Sequence, residues 1–185
     1  MRRLTEFAHQ QLADHLRRGD AAIDATAGNG HDTLELARLV GTEGRVVAVD
    51  LQDAALGATR RQLNGRGWLD RCELHLGDHA TVLAKLEGSF QAAVFNLGYL
   101  PGSDKSVRTA PTTTLAALDH CRRLLAPGGL LLVTAYRGHP GGPEEAEAVA
   151  DWMQTREDEG WPVRSIEPEA TGPQPPPILW IARKG

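Results

Sequence analysis

The sequence predicts an α/β fold, a doubly wound, seven-stranded and mostly parallel sheet with helices on both faces. Three observations carry that reading. Short apolar runs alternate with segments of helical periodicity along nearly the whole chain. The runs are continuously apolar rather than alternating, as in Arg45-Val46-Val47-Ala48-Val49-Asp50, which is how parallel strands covered on both faces look. The first run also ends in a glycine-rich turn that leads directly into a helical pattern, the strand-turn-helix unit of such sheets.

In chain order, Thr5 to Arg18 carries Phe7, Ala8, Leu12, Ala13 and Leu16 at the spacing of one helical face. Ala21 to Ala25 is the first strand and His31 to Val40 the helix after its turn. Arg45 to Asp50 is a β-branched strand closed by an acid, and Asp53 to Gly65 reads as a helix. Cys72 to Leu76, Phe90 to Asn96 and Leu130 to Ala135 are further strands. Helices are expected at His79 to Leu86, Pro111 to Leu125 and Pro143 to Glu159. Val163 to Ile166 and Ile178 to Ala182 leave no room for a helix between them, so they should pair as an antiparallel hairpin at the sheet edge. The stretch Gly172-Pro173-Gln174-Pro175-Pro176-Pro177 reads as a stiff connector.

The 185 residues fit one domain, 1–185, with a composition close to the globular average. The longest apolar runs fall far short of the roughly 18 to 20 residues that span a bilayer. Behind Met1-Arg2-Arg3 comes a mixed polar stretch rather than an apolar signal region. Cys72 and Cys121 are spaced neither as a metal pair nor as a disulfide framework. A cytoplasmic protein without a metal is therefore expected. The net charge of -4 argues against a nucleic-acid coat protein, yet residues 101–142 carry 5 basic and 2 acidic groups and form the one basic segment.

In a doubly wound sheet the ligand binds beyond the carboxyl ends of the strands, where strand order reverses. At the first tip stands Asp24-Ala25-Thr26-Ala27-Gly28-Asn29-Gly30-His31-Asp32-Thr33. Gly28 and Gly30 let the backbone approach a ligand closely, and Asp24 can accept from a ligand ammonium or from the turn's own amides. A dinucleotide site would want a third glycine where Thr33 stands, and Asp32 beside the helix start repels phosphate. The ligand there should be neutral or positive, like the methionine end of S-adenosylmethionine. Asp50 ends its strand where an acid takes both hydroxyls of a ribose, flanked by Gln52. Asp78 can accept from an adenine amine, and His79 either packs on the ring or caps the next helix.

Asn96-Leu97-Gly98-Tyr99-Leu100-Pro101-Gly102 delivers an Asn at a strand end, then a tight turn and an aromatic. It resembles the Asn-Pro-Pro-Tyr element of amino-group methyltransferases, in which the Asn and a turn carbonyl, here Leu97 or Gly98, accept from the target nitrogen while the aromatic stacks on the base. Lys105 and Arg108 are phosphate candidates or members of a solvated loop. His139, in the loop Tyr136-Arg137-Gly138-His139-Pro140, is a structural loop residue or a base, since imidazole exchanges protons near neutral pH. His9, His15, His75 and His120 fall on elements without evident partners and read as background.

Together, the motif from Asp24 to Thr33, the motif from Asn96 to Gly102 and Gly138-His139-Pro140 resemble the small bacterial family labelled rRNA methylases, over nearly the whole chain. That family includes the tRNA 5-aminomethyl-2-thiouridine methyltransferase. The resemblance implies a Rossmann-like class I methyltransferase fold, S-adenosylmethionine as methyl donor and tRNA as substrate, with a homodimer as a weak expectation. It places Asn29 and Asp32 by the methionine part, Asp50 and Gln52 on the ribose, and Asp78 and His79 by the adenine. Asn96, Tyr99 and His139 would serve the transfer, with Leu97, Gly98, Lys105, Arg108 and Arg137 on the substrate side. The sequence departs from the family's usual pattern at Asp78, Ser103 and Arg137. Another RNA, a small-molecule amine and a non-catalytic nucleotide-binding module are the alternatives; an NAD oxidoreductase lacks its third glycine.

Overall fold

The structure is a computed structural model that describes residues 4–98, 109–170 and 172–185. In chain order its elements are α1 (Leu4–His15), β1 (Ala21–Asp24), α2 (His31–Val40), β2 (Arg45–Asp50) and α3 (Asp53–Asn64), then a short 3₁₀ turn (Leu69–Arg71) and β3 (Cys72–Leu76). There follow α4 (His79–Lys85), β4 (Phe90–Leu97), α5 (Pro111–Leu124), β5 (Leu125–Ala135), α6 (Gly142–Asp158), β6 (Val163–Ile166) and β7 (Ile178–Arg183). The expected doubly wound, seven-stranded sheet is present. The differences lie at element ends, where α1 stops three residues early and β5 begins five residues sooner, beyond an irregularity in its pairing with β4.

Strand order is β3-β2-β1-β4-β5-β7-β6, parallel from β3 through β5. The C-terminal hairpin folds back so that β7 pairs antiparallel with both β5 and β6. Successive side chains of a strand point to opposite faces, so each central strand feeds two cores. On one face Ile23, Val47, Phe95, Leu131 and Val133 pack with Leu83, Leu118 and Val149 of α4, α5 and α6. On the other, Ala22, Val46, Val94 and Leu132 meet Leu12, Leu36 and Leu63 of α1, α2 and α3. Burial on both faces explains why these strands read as unbroken apolar runs.

Strand order reverses between β1 and β4. The junction is stitched by Ala25 N–H donating to the Val94 carbonyl at 2.9 Å, and by Asn96 N–H donating to the Thr26 hydroxyl at 2.7 Å. Among the described residues no helix is long and apolar enough to cross a membrane.

Leu131 is fully buried in mid-sheet, and its truncation leaves a cavity that close-packed neighbours cannot refill. Leu131→Ala should cost about 2–5 kcal/mol in urea unfolding, and a loss under about 1 kcal/mol would show that this face of the sheet is loosely packed.

Candidate active site

One cavity of about 680 Å³ opens past the carboxyl ends of β1, β2, β3, β4 and β5, within the size range of small-molecule sites. It gathers Gly28, Asn29, Asp32, Asp50, Gln52, Asp78, His79, Asn96, Leu97, Gly98, Arg137 and His139 from tips far apart in sequence. Tyr99, Lys105 and Arg108 lie outside the described residues.

At the β1 tip Asp24 is fully buried. One carboxyl oxygen accepts from the Thr33 hydroxyl at 2.5 Å and the other from the Thr26 amide at 3.2 Å. Burial, then the nearby Asp32 carboxylate and more weakly Asp50, push its pKa up to about 7. Of the two roles open to Asp24, a ligand ammonium or the turn's own amides, the structure shows the second: Asp24 does not line the cavity, and both its oxygens tie the turn to itself and to α2. Gly30 is likewise structural. At φ +84° a Cβ there would lie 2.8 Å from the Thr59 hydroxyl oxygen and 3.1 Å from the Thr59 Cα, so the glycine lets α2 begin against α3. Gly28 does line the cavity, and its amide donates to Asp50 Oδ2 at 2.8 Å.

Asp50 also accepts from the Gln52 amide at 2.8 Å, through Oδ1. A carboxylate offers about four lone-pair sites, so after two backbone donors it can still accept from a pair of hydroxyls. Asp78 caps α4, its Oδ1 accepting from the Ala80 and Thr81 amides at 2.9 and 3.3 Å, while facing the cavity. His79 is buried with its ring tilted against Phe95, centroids 5.9 Å apart, and desolvation holds its pKa below the ordinary imidazole value. A neutral ring at the cavity wall suits a flat, uncharged partner.

The β4 tip brings Asn96 to Asp32. The Asn96 Nδ2 donates to Asp32 Oδ2 at 2.6 Å, which leaves the amide oxygen as the group offered elsewhere. Asp32 Oδ1 lies 2.5 Å from His9 Nε2. That bond, chiefly, raises the His9 pKa above its ordinary value, with added attraction from the Asp32 and Glu35 charges against burial and Arg38. Reading His9 as background is therefore corrected, and so is His15, whose Nε2 sits 2.8 Å from the Gln91 carbonyl. His75 lies 3.7 Å from Glu73.

Leu97 and Gly98 carbonyls each accept one backbone bond already, from Tyr136 at 3.4 Å and Thr109 at 2.9 Å. The Gly98 amide donates to the Thr109 hydroxyl oxygen at 2.8 Å, and that hydroxyl donates to the buried Glu145 at 2.7 Å. The chain is thus pinned on both sides of residues 99–108. His139 Nδ1 is 3.1 Å from the Pro140 carbonyl, which only accepts, so Nδ1 is the donor in that contact. Its ring packs where Cβ atoms on Gly98 and Gly142 would stand 3.1 and 3.0 Å from Nε2.

Arg137, expected on the substrate, is occupied instead by the connector, donating to the Pro176 carbonyl at 2.8 and 2.6 Å and pairing with Glu167. This brings Gln174, Pro175 and Pro177 to the cavity wall. Sequence reasoning missed those residues, as well as Thr5, Leu51 and Tyr136. Large apolar side chains at strand tips, Leu51 46% and Tyr136 43% exposed, were the available signal.

The donor set fits S-adenosylmethionine. An acid with spare acceptor capacity ends β2, a neutral aromatic wall lies at β3, and carboxylates at the β1 turn favour a positive centre over a phosphate. Among the described residues no group of three or more His, Cys, Asp or Glu could hold a metal ion.

Residues 46–182 match the family described as "Putative rRNA methylase". The chain is 38% identical to a chloroplastic tRNA (mnm(5)s(2)U34)-methyltransferase of Arabidopsis thaliana, over 80% of this chain and 58% of that one. It spans about half the length of the curated relatives it matches. Among solved structures, a "putative rRNA-methylase" of Clostridium thermocellum superposes with a TM-score of 0.92 at 33% identity, covering 99% of this chain and 98% of that one. A "putative methyltransferase" of Streptococcus mutans, solved in complex with SAH, gives 0.87 at 34% identity, with 99% of both chains covered.

Asp24 and His9 both hold a proton more tightly folded than unfolded. For Asp24 the folded state binds the extra proton between an unfolded value near 4 and about 7, so stability falls as pH rises through that window. The His9 contribution is complete below an unfolded value near 6.5 and is lost as pH rises through its raised folded pKa. The lowered pKa values of His79 and His15 work in the opposite sense, so the Asp24 contribution is read against Asp24→Asn: between about pH 4 and about pH 7 the Tm of the unaltered chain should fall more steeply, or rise less, than that of the variant. An equal slope in that variant would place the titration elsewhere.

Proposed function

The chain belongs to the family described as "Putative rRNA methylase", and from that footing we propose that it N-methylates the aminomethyl group of 5-aminomethyl-2-thiouridine at the wobble position of tRNA. The family match and the likeness to the Streptococcus mutans protein solved with SAH support an S-adenosylmethionine-dependent methyltransferase. When bound, the cofactor supplies an electrophilic methyl on a sulfonium.

The observation that carries the reading is the Asn96 amide. With its NH₂ engaged by Asp32 at 2.6 Å, it offers an oxygen to the cavity, and an oxygen acceptor selects a nucleophile that carries hydrogens, such as a primary amine. The Arabidopsis relative, named for a modified uridine of tRNA, supports the same substrate.

The division of labour follows the tips. Asp50 and Gln52 would hold the ribose, Asp78 and His79 the adenine beside Leu51, and Asn29 and Asp32 the methionine part. Asn96, aided by the second lone pair of the Leu97 or Gly98 carbonyl, would aim the amine's own lone pair along the line of transfer. Positioning by acceptors supplies most of what such a step requires, since a neutral amine is already nucleophilic. As the N–C bond formed, the donor's S–CH3 bond would break with its electron pair left on a neutral thioether, and the new ammonium would release one proton. His139, which lines the cavity on that side, or solvent would accept it. Tyr136 and the wall of Gln174, Pro175 and Pro177 would bound the substrate end, with Tyr99, Lys105 and Arg108 proposed on the base and the phosphates.

Nucleoside mass spectrometry on tRNA carrying the unmethylated aminomethyl-thiouridine, after incubation with protein and S-adenosylmethionine, should show a gain of one methyl on that nucleoside. Methyl appearing in ribosomal RNA instead would favour the reading in the family's description. Asn96→Ala should lower transfer about 10²–10³-fold with cofactor affinity nearly kept; undiminished transfer would remove the acceptor role.

A further inference from the structure

Three side chains from three separate elements form one hydrogen-bonded line at the cavity. His9 stands on α1, Asp32 in the first turn of α2 and Asn96 at the tip of β4, with 23 and 64 positions between successive members. The His9 Nε2 to Asp32 Oδ1 distance is 2.5 Å and the Asn96 Nδ2 to Asp32 Oδ2 distance 2.6 Å. Asp32 and Asn96 line the cavity and His9 does not.

We infer that His9 is a positioning residue of the transfer site, acting through Asp32 on the Asn96 amide. The inference rests on the reading of Asn96 as the acceptor for the target nitrogen.

A carboxylate gripped at one oxygen can still pivot about its side-chain torsions, whose terminal well is broad. Gripped at both oxygens, by donors on opposite sides, its plane is fixed. The second grip comes from a residue on a well-anchored helix: Ala8 and Leu12, flanking His9, are both buried in the core. Asp32 is nearly enclosed, its side chain 13% exposed, so its bonds operate where water competes weakly. The Asn96 main chain is held separately by the Thr26 hydroxyl. What remains adjustable is the direction of the Asn96 side-chain amide, and Asp32 sets it. A site of this kind loses rate when a supporting group lets an aligned acceptor wander by a fraction of an ångström. The same bond also ties α1 to α2, so a structural role alone would predict lost stability without a specific loss of turnover.

The test compares His9→Ala, His9→Gln, Asn96→Ala and the His9→Ala/Asn96→Ala double variant with the unaltered chain. Turnover is measured on tRNA carrying the unmethylated aminomethyl-thiouridine, and SAH affinity by calorimetry. The Asn96 side-chain NH₂ resonance, assigned by its absence in Asn96→Ala, reports on the amide with no turnover at all. His9→Ala should lower kcat about tenfold, with substrate KM and SAH affinity within about twofold, and should move the Asn96 resonance. His9→Gln, which keeps a donor, should regain most of the rate. In the Asn96→Ala background, His9→Ala should add little further loss.

An unmoved resonance, an unchanged kcat, or a loss of the same size in the Asn96→Ala background overturns the inference. If His9→Ala does not fold, His9→Leu fills the space without a donor and is read in its place. If Asn96→Ala alone keeps full kcat, the acceptor reading fails, and the resonance shift still decides separately whether His9 holds the amide.

Discussion

Everything at the site depends on the reversal of strand order between β1 and β4. From β1 the chain first winds outward through β2 and β3, then returns to lay β4 on the other side of β1. Helices α1 to α3 cover one face and α4 to α6 the other, so the helices that follow β1 and β4 lie on opposite faces of the sheet. The gap is kept open by bonds that run across it at the backbone level, Ala25 to Val94 and Asn96 to Thr26. These fix how far each tip projects, and hence where Asp32 and Asn96 meet.

Three carboxylates, Asp24, Asp32 and Asp50, crowd the two adjacent tips of β1 and β2, and each is managed differently. Asp24 is buried and leans toward its protonated form. Asp32 faces a histidine whose proton it helps retain. Asp50 takes two backbone amides. Their mutual repulsion would be costly with an anionic ligand and is relieved by a cationic one. A sulfonium cofactor therefore suits this end of the sheet better than a dinucleotide does, independently of any glycine count.

The fold was legible in the sequence because burial on both faces writes itself as unbroken apolar runs. The His31–Val40, Arg45–Asp50, Cys72–Leu76 and Val163–Ile166 limits emerged as read, since caps or turns bound them sharply. The start of β5 did not, because Ala126-Pro127-Gly128-Gly129 looks like a turn: it lies between the Leu125 and Leu130 pairings with β4, with Gly128 at φ +75° and its amide donating to the Lys184 carbonyl. The cavity's acids and Asn96 were legible as residues at strand tips. Their partners were not, because His9 meets Asp32 through helix packing that no local pattern encodes. Asp24 stayed open between two roles for a related reason: a carboxylate at a strand tip looks alike whether it faces the ligand or the turn, and only its depth tells them apart.

Arg137 shows what such depth does to charge. The resemblance placed it on the substrate side, yet a guanidinium has several donors in a fixed plane and is satisfied best by several acceptors at once. The Pro176 carbonyl and Glu167 supply them. Proline lacks an N–H and its neighbours are locally extended, so the segment presents carbonyls unpaired by any ladder, and it loses little conformational entropy when it is held. The connector thereby becomes a wall of the cavity at low cost. The proposed cofactor end is built by the first half of the chain, and the opposite end by β4, β5 and this strap. Changes in the strap can reshape what the site admits while leaving the β1 and β2 tips untouched.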